Sequence, residues 1–165
     1  MMERLKQRDL RAVLEFLRGC YAIVDSPTLV GHVLRTLPAV IPADIVTWNS
    51  HDPRTMRHLW LDEPANATRI PGITDAANQD QYFARYMPQH PVLAHFRRTG
   101  SGAAAKISDF VSRQRFHRLA LYNEVYRRVG TEYQLGTLLR FAPSPLLVLG
   151  LDRTRRDLPS AIGSS

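Results

Sequence analysis

Asp44-Ile45-Val46-Thr47-Trp48-Asn49-Ser50, then His51-Asp52-Pro53-Arg54, then Thr55-Met56-Arg57-His58-Leu59-Trp60-Leu61: this stretch decides the fold class. Its outer segments are rich in β-branched and aromatic residues, which suit a pleated, half-buried surface. Its middle has turn composition. The stretch predicts a β-hairpin, with residues 44–50 and 55–61 as its strands.

On the N-terminal side the period changes. Leu5, Leu10, Val13, Leu14 and Leu17 recur at helical spacing with Arg and Glu between them, predicting a helix over 2–19 stopped at Gly19. Ser26 is placed to cap a second helix, Pro27 suits its first position, and Pro38 is expected to end it. Residues 62–76, with Pro64, Pro71 and Gly72, read as a loop. Residues 78–87 return to helix until Pro88 and Pro91, and 92–98 form a short helix closed by Gly100 and Gly102. Residues 105–110 read as a short strand. Ser112 is expected to cap one long helix ending at Gly130. Residues 132–141 and 146–151 then form a second hairpin around Pro143-Ser144-Pro145. Hairpin strands with helices between them predict a mostly antiparallel sheet flanked by helices, an α+β domain.

The chain has 165 residues, 44% hydrophobic and 22% charged, which excludes a wholly disordered or collagen-like polymer. No apolar run approaches the roughly 20 residues of a membrane span, and no secretory signal opens the sequence. Cys20 is the single cysteine, so an intrachain disulfide, a multi-cysteine zinc site and a redox pair are excluded. A cytoplasmic protein is expected.

The net charge is +7, and all basic residues except Lys6 and Lys106 are Arg. The basic excess concentrates in 97–128. Arg113, Arg115 and Arg118 form its centre, a candidate nucleic-acid face that reads equally as the solvated side of an amphipathic helix.

No phosphate-cradling Gly loop, nucleophile elbow or His-Glu-x-x-His pair occurs. His51 and His58 flank the hairpin without a third ligand, and no metal is expected. His90 either lines a pocket or caps a helix. Asp109 either orients a ligand or caps the following helix. Cys20 reads as a small buried hydrophobe. Trp48, Trp60, Tyr82, Phe83, Tyr86, Tyr122 and Tyr126 fall on the hairpin and on helices that would cover it, with Trp48, Trp60, Tyr82, Tyr86 and Tyr122 the expected lining of any cavity. Their apolar bodies and polar tips suit either a cavity lining or ordinary core packing. If they line a cavity, Asn49, Asp109 and Gln134 are the polar contacts expected with them.

Two segments carry a family resemblance: Met2-Glu3-Arg4-Leu5-x-x-Arg8-Asp9-Leu10-Arg11-Ala12-Val13-Leu14-Glu15-Phe16-Leu17, and Lys106-Ile107-Ser108-Asp109-Phe110-Val111-Ser112-Arg113-x-x-Phe116-His117 running on to Tyr133-Gln134-Leu135. Both resemble the amino-terminal sensor region of bacterial LuxR-type transcriptional regulators, as do 90–100 and 151–157. The resemblance implies a GAF-like sheet-and-helix domain, a non-enzymatic role, no cofactor and an undefined small-molecule ligand. It implies a possible homodimer through the N-terminal helix, and DNA contact only through a helix-turn-helix domain. The sequence has no such domain after Arg155-Arg156-Asp157-Leu158. The expectation is therefore a sensor domain over 1–158, a disordered tail over 159–165, and a regulator truncated before its DNA-binding part. His90 stands before Pro91 where acyl-homoserine-lactone sensors carry Asp, and Ser108-Asp109 stands in place of Trp-Asp. A histidine cannot accept a ligand amide hydrogen as a carboxylate would, so that ligand is not expected. GAF-type methionine sulfoxide reductases use several cysteines, and this chain has one.

Overall fold

The computed structural model describes residues 6–52, 57–70, 72–73, 76–140 and 146–155. The predicted tail over 159–165 lies outside the described residues. The architecture is α+β: helices flank a five-stranded antiparallel sheet.

The hairpin forms as predicted, slightly displaced. β1 spans Ile45–Asp52 and β2 spans Arg57–Glu63, with Trp48 opposite Leu61 and Asn49 opposite Trp60. β4, Tyr133–Arg140, and β5, Leu146–Arg153, form the second hairpin. The two hairpins join through β1 and β5, with Thr47 opposite Gly150. With the short strand β3, Ala105–Lys106, the order is β2-β1-β5-β4-β3.

Successive strand residues point to opposite faces. On one face Val46, Leu135, Leu149 and Leu151 pack with Val30, Val33, Leu34 and Leu37 of α2, Ser26–Val40. On the other, Leu138 packs with Phe83 of α3, Ala76–Tyr86, and with Val92 and Phe96 of α4, Pro91–Thr99. Burying each such Val, Leu or Phe contributes about 1.5–3 kcal/mol relative to exposure.

α1, Gln7–Tyr21, lies outside α2 and has no buried residue. Leu10, Leu14 and Leu17 on its apolar side are 48%, 65% and 40% exposed. Gly19 does not stop this helix. It lies where α1 meets α2, and a Cβ there would collide with the imidazole of His32, whose ring also stacks on Phe16. The glycine is needed for close approach, a role that mimics a helix stop in sequence.

Other boundaries also move. Asp25, not Ser26, caps α2 by accepting from the Thr28 N–H at 2.9 Å. Pro38 lies inside α2, which runs two residues past it to Val40. The expected strand over 105–110 is two residues long and turns at Ile107–Asp109 into a 3-10 helix. The expected long helix over 113–129 is broken. Ser112 caps only the four-residue α5, Arg113–Phe116. Asn123 then bonds the carbonyls of His117 and Leu119, and Tyr122–Tyr126 forms a π-helical turn running into α6, Arg127–Val129.

Candidate functional site

The sheet face under α3, the π-helical turn and α6 carries the site. There, residues of alternating parity in β1 and β5 put Thr47, Asn49, Val148, Gly150 and Asp152 on one floor. Phe83, Met87, Leu93, Val125 and Val129 form apolar walls above it. They line a partly open cavity of about 560 Å³, within the size range of small-molecule sites. Gly150 is part of how the floor is made. A Cβ there would come within 2.5 Å of the Thr47 hydroxyl and 3.4 Å of the Gln134 amide nitrogen.

A buried polar chain stands behind the floor. The Leu93 N–H, in the first turn of α4, donates to Nδ1 of His90 at 3.3 Å. Burial holds the His90 pKa down at about 4, so the ring is neutral. With Nδ1 accepting, the single ring proton sits on Nε2, which lies 2.7 Å from Oε1 of Gln134 and 2.7 Å from the Tyr126 hydroxyl. The Tyr126 hydroxyl donates to the same Oε1 at 2.9 Å. Two donors on Oε1 fix the amide's orientation. Gln134 therefore presents its NH2 group to Oδ1 of Asp152, at 2.8 Å. Burial raises the Asp152 carboxyl to about 7 against the opposing pull of the Gln134 N–H. Burial, and then the neighbouring Asp152 charge, push the Tyr126 phenol well above its usual range.

No protein-family model matches the sequence, and no curated protein matches it significantly. Among solved structures, the chain resembles the VqsR ligand-binding (LBD) domain from Pseudomonas aeruginosa, with a TM-score of 0.60. The two share a fold. The alignment covers 92% of this chain and 83% of the VqsR chain, at 15% sequence identity.

On this VqsR-like fold the sequence-predicted site residues are placed apart. Asn49 and Gln134 line the cavity. Trp48 is on the opposite sheet face, against the α2 cluster. Adjacent residues of one strand cannot share a face, so Trp48 and Asn49 are on separate sides. The backbone of Trp60 pairs with Asn49 in β2, and its side chain lies outside the described residues, as do those of His51 and His58.

Tyr82 donates to the Glu124 backbone carbonyl at 2.9 Å and approaches its carboxylate at 3.0 Å, with Tyr86 tilted against it at 5.2 Å. The two brace α3 on the π-helical turn; their neighbours Phe83 and Ala84 reach the cavity. Tyr122 turns away from the cavity, donating to Glu132 at 2.5 Å and stacking on His117 at 4.0 Å. Burial and that carboxylate push its phenol up to about 12. Asp109 accepts from the Lys106 N–H at 2.8 Å, so it caps the 3-10 turn rather than the helix that follows. His90 caps α4, as one of its two sequence readings expected; it does not line the cavity but stands behind it, anchoring the polar chain.

Arg113, Arg115 and Arg118 are exposed, and Arg113 pairs with Glu132 at 3.2 Å. Cys20 packs beside the α2 cluster, and burial raises its thiol pKa. Among the described residues, no group of three or more His, Cys, Asp or Glu could hold a metal ion.

Sequence reading counted Phe83 and Tyr126 among the candidate aromatics without singling them out, and both line the cavity; it missed Asp152. Strand parity was the available signal for Asp152. It continues the alternation of Val148 and Gly150 by one more step, beyond the predicted strand end at Leu151.

Proposed function

We propose that this chain is a non-enzymatic, ligand-responsive sensor domain of a LuxR-type transcriptional regulator. One observation carries the reading: a partly open, largely apolar cavity with a few fixed polar groups, on a fold shared with the VqsR ligand-binding domain. The sequence resemblance over 106–135 supports it independently. Among the described residues, no helix is long and apolar enough to cross a membrane.

In this reading a small apolar or aromatic molecule fills the space between the sheet and the helices. Its roof is built from several short elements, α3, the π-helical turn and α6, rather than one rigid rod. A ligand bridging them favours one arrangement of that layer, and a partner domain responds to that bias. Self-association through the uncovered leucines of α1 belongs to the same reading.

Thermal unfolding against a panel of small hydrophobic and aromatic metabolites tests it. A true ligand at a hundred times its Kd adds about 2.7 kcal/mol, raising Tm by roughly 5–10 °C. Val125→Trp, which fills the cavity, should abolish the shift. A Tm unmoved by every compound counts against the proposal.

A further inference from the structure

The chain carries a net charge of +7, yet among the described residues no Lys, Arg or His lines the cavity. The ionisable groups facing it are Asp80 from α3, Asp152 from β5 and the Tyr126 phenol. Asp152 is the buried one of the two acids, with only 3% of its surface exposed. A carboxylate has about four lone-pair sites for donors. Among the described residues, one side-chain donor reaches this carboxyl, the Gln134 NH2 on Oδ1.

The polarity behind it is fixed. Leu93 N–H donates to His90, the His90 Nε2–H and Tyr126 hydroxyl meet Gln134 Oε1, and Gln134 donates to Asp152. The chain of donors therefore ends at an acceptor on the cavity wall. A second acceptor belongs to the same floor: the buried amide oxygen of Asn49, which has no hydrogen-bond partner among the described residues. Asn49 pairs with Val148, four residues before Asp152 on β5, so the two acceptors stand roughly 13 Å apart along the strand. Apolar walls occupy the space between them.

We propose that the cavity selects an apolar amine, with its ammonium group held by Asp152 and its hydrocarbon body lying along the β1–β5 floor. Carboxylates and phosphates are disfavoured, because no cation awaits them and two acids do. This rests on the reading of the cavity as a ligand site and names the chemistry it takes.

Isothermal titration of the whole chain with octylamine, octanol and octanoate tests the proposal. At pH 8 octylamine is expected to bind at least tenfold more tightly than octanol, with octanoate weakest. Octylamine should tighten about tenfold between pH 6 and pH 8, while itself staying protonated, because Asp152 ionises near pH 7. Octanol should not change. Asp152→Asn should remove the amine's advantage over octanol, and should reduce it more than Asp80→Asn does. If Asp152→Asn fails to fold, the wild-type pH profiles decide.

Equal binding of amine and alcohol, or a preference for octanoate, overturns the amine assignment and leaves the cavity reading standing. Loss of the preference in Asp80→Asn but not in Asp152→Asn overturns the assignment to Asp152. Silence from all three probes, together with an unresponsive metabolite panel, overturns both readings.

Discussion

Val46 and Thr47 are neighbours in β1 and both are buried, but they face different chemistry. Val46 meets the leucines and valines of α2 in a close-packed apolar layer. Thr47 faces a cavity backed by a histidine, a tyrosine, a glutamine and an aspartate joined by hydrogen bonds. One sheet thus carries a face specialised for cohesion and a face that gives up packing to hold a space. The difference lies in residue parity alone. Packing of the α2 face and the shape of the cavity can therefore be altered by mutating adjacent positions of one strand.

The largest effect should come from the cohesive face. Leu151→Ala is expected to cost about 2–5 kcal/mol in urea unfolding. The remaining folded protein should bind ligand as before; a change in Kd would show that the faces are coupled. Gly150→Val, one position away, should strike binding as well as stability. It overpacks the floor against Thr47 and Gln134, costing about 1–3 kcal/mol, and it should eliminate ligand-induced Tm shifts.

A third test uses pH. The His90 pKa is lower in the folded state than in the unfolded chain, so its contribution makes stability rise with pH between about 4 and 6.5. The Asp152 pKa is higher in the folded state, so its contribution makes stability fall between about 4 and 7. In the wild type the two largely cancel. Asp152→Asn removes the falling contribution. The Tm of the variant minus that of the wild type should therefore grow more positive from pH 4 to pH 7 and then level off. A flat difference would mean that Asp152 does not titrate as its burial dictates.

The smallest effect should be at α1. Leu14→Ser, at a position 65% exposed, is expected to change monomer stability by no more than about 0.5 kcal/mol and ligand affinity not at all. Sedimentation of the variant against the wild type would report whether this helix face mediates self-association.

The fold class was legible because both hairpins and the helices of 7–40 and 76–99 show clean periodicity. Helix interruptions were less so. The π-helical turn depends on Asn123 capturing carbonyls of a preceding bend, a tertiary geometry that spacing does not encode. Gly19 and Pro38 carry strong local signals that the packing overrides.

The site was legible in its polar sheet residues, Asn49 and Gln134, and in two members of the aromatic group, Phe83 and Tyr126. Aromatic composition pointed to Tyr82, Tyr86 and Tyr122, but a tyrosine hydroxyl also satisfies acids, and here Glu124 and Glu132 take two of them. Asp152 lay just past a predicted strand end. Extending that strand by parity would have placed it beside Gly150.

The ladder between β1 and β5 has a consequence for biosynthesis. The cavity floor joins Thr47 to Gly150 and Asn49 to Val148, segments about a hundred residues apart in the chain. Contacts of such long separation form late, after the entropy of closing the intervening loop has been overcome. On the ribosome the first hairpin and α2 can begin to associate early, but the floor stays half-built until β5 has left the exit tunnel. A small molecule present during translation meets a binding surface only at that point. By favouring docking of the last hairpin, it would act on how much of the nascent chain reaches its folded form, as well as on the finished domain.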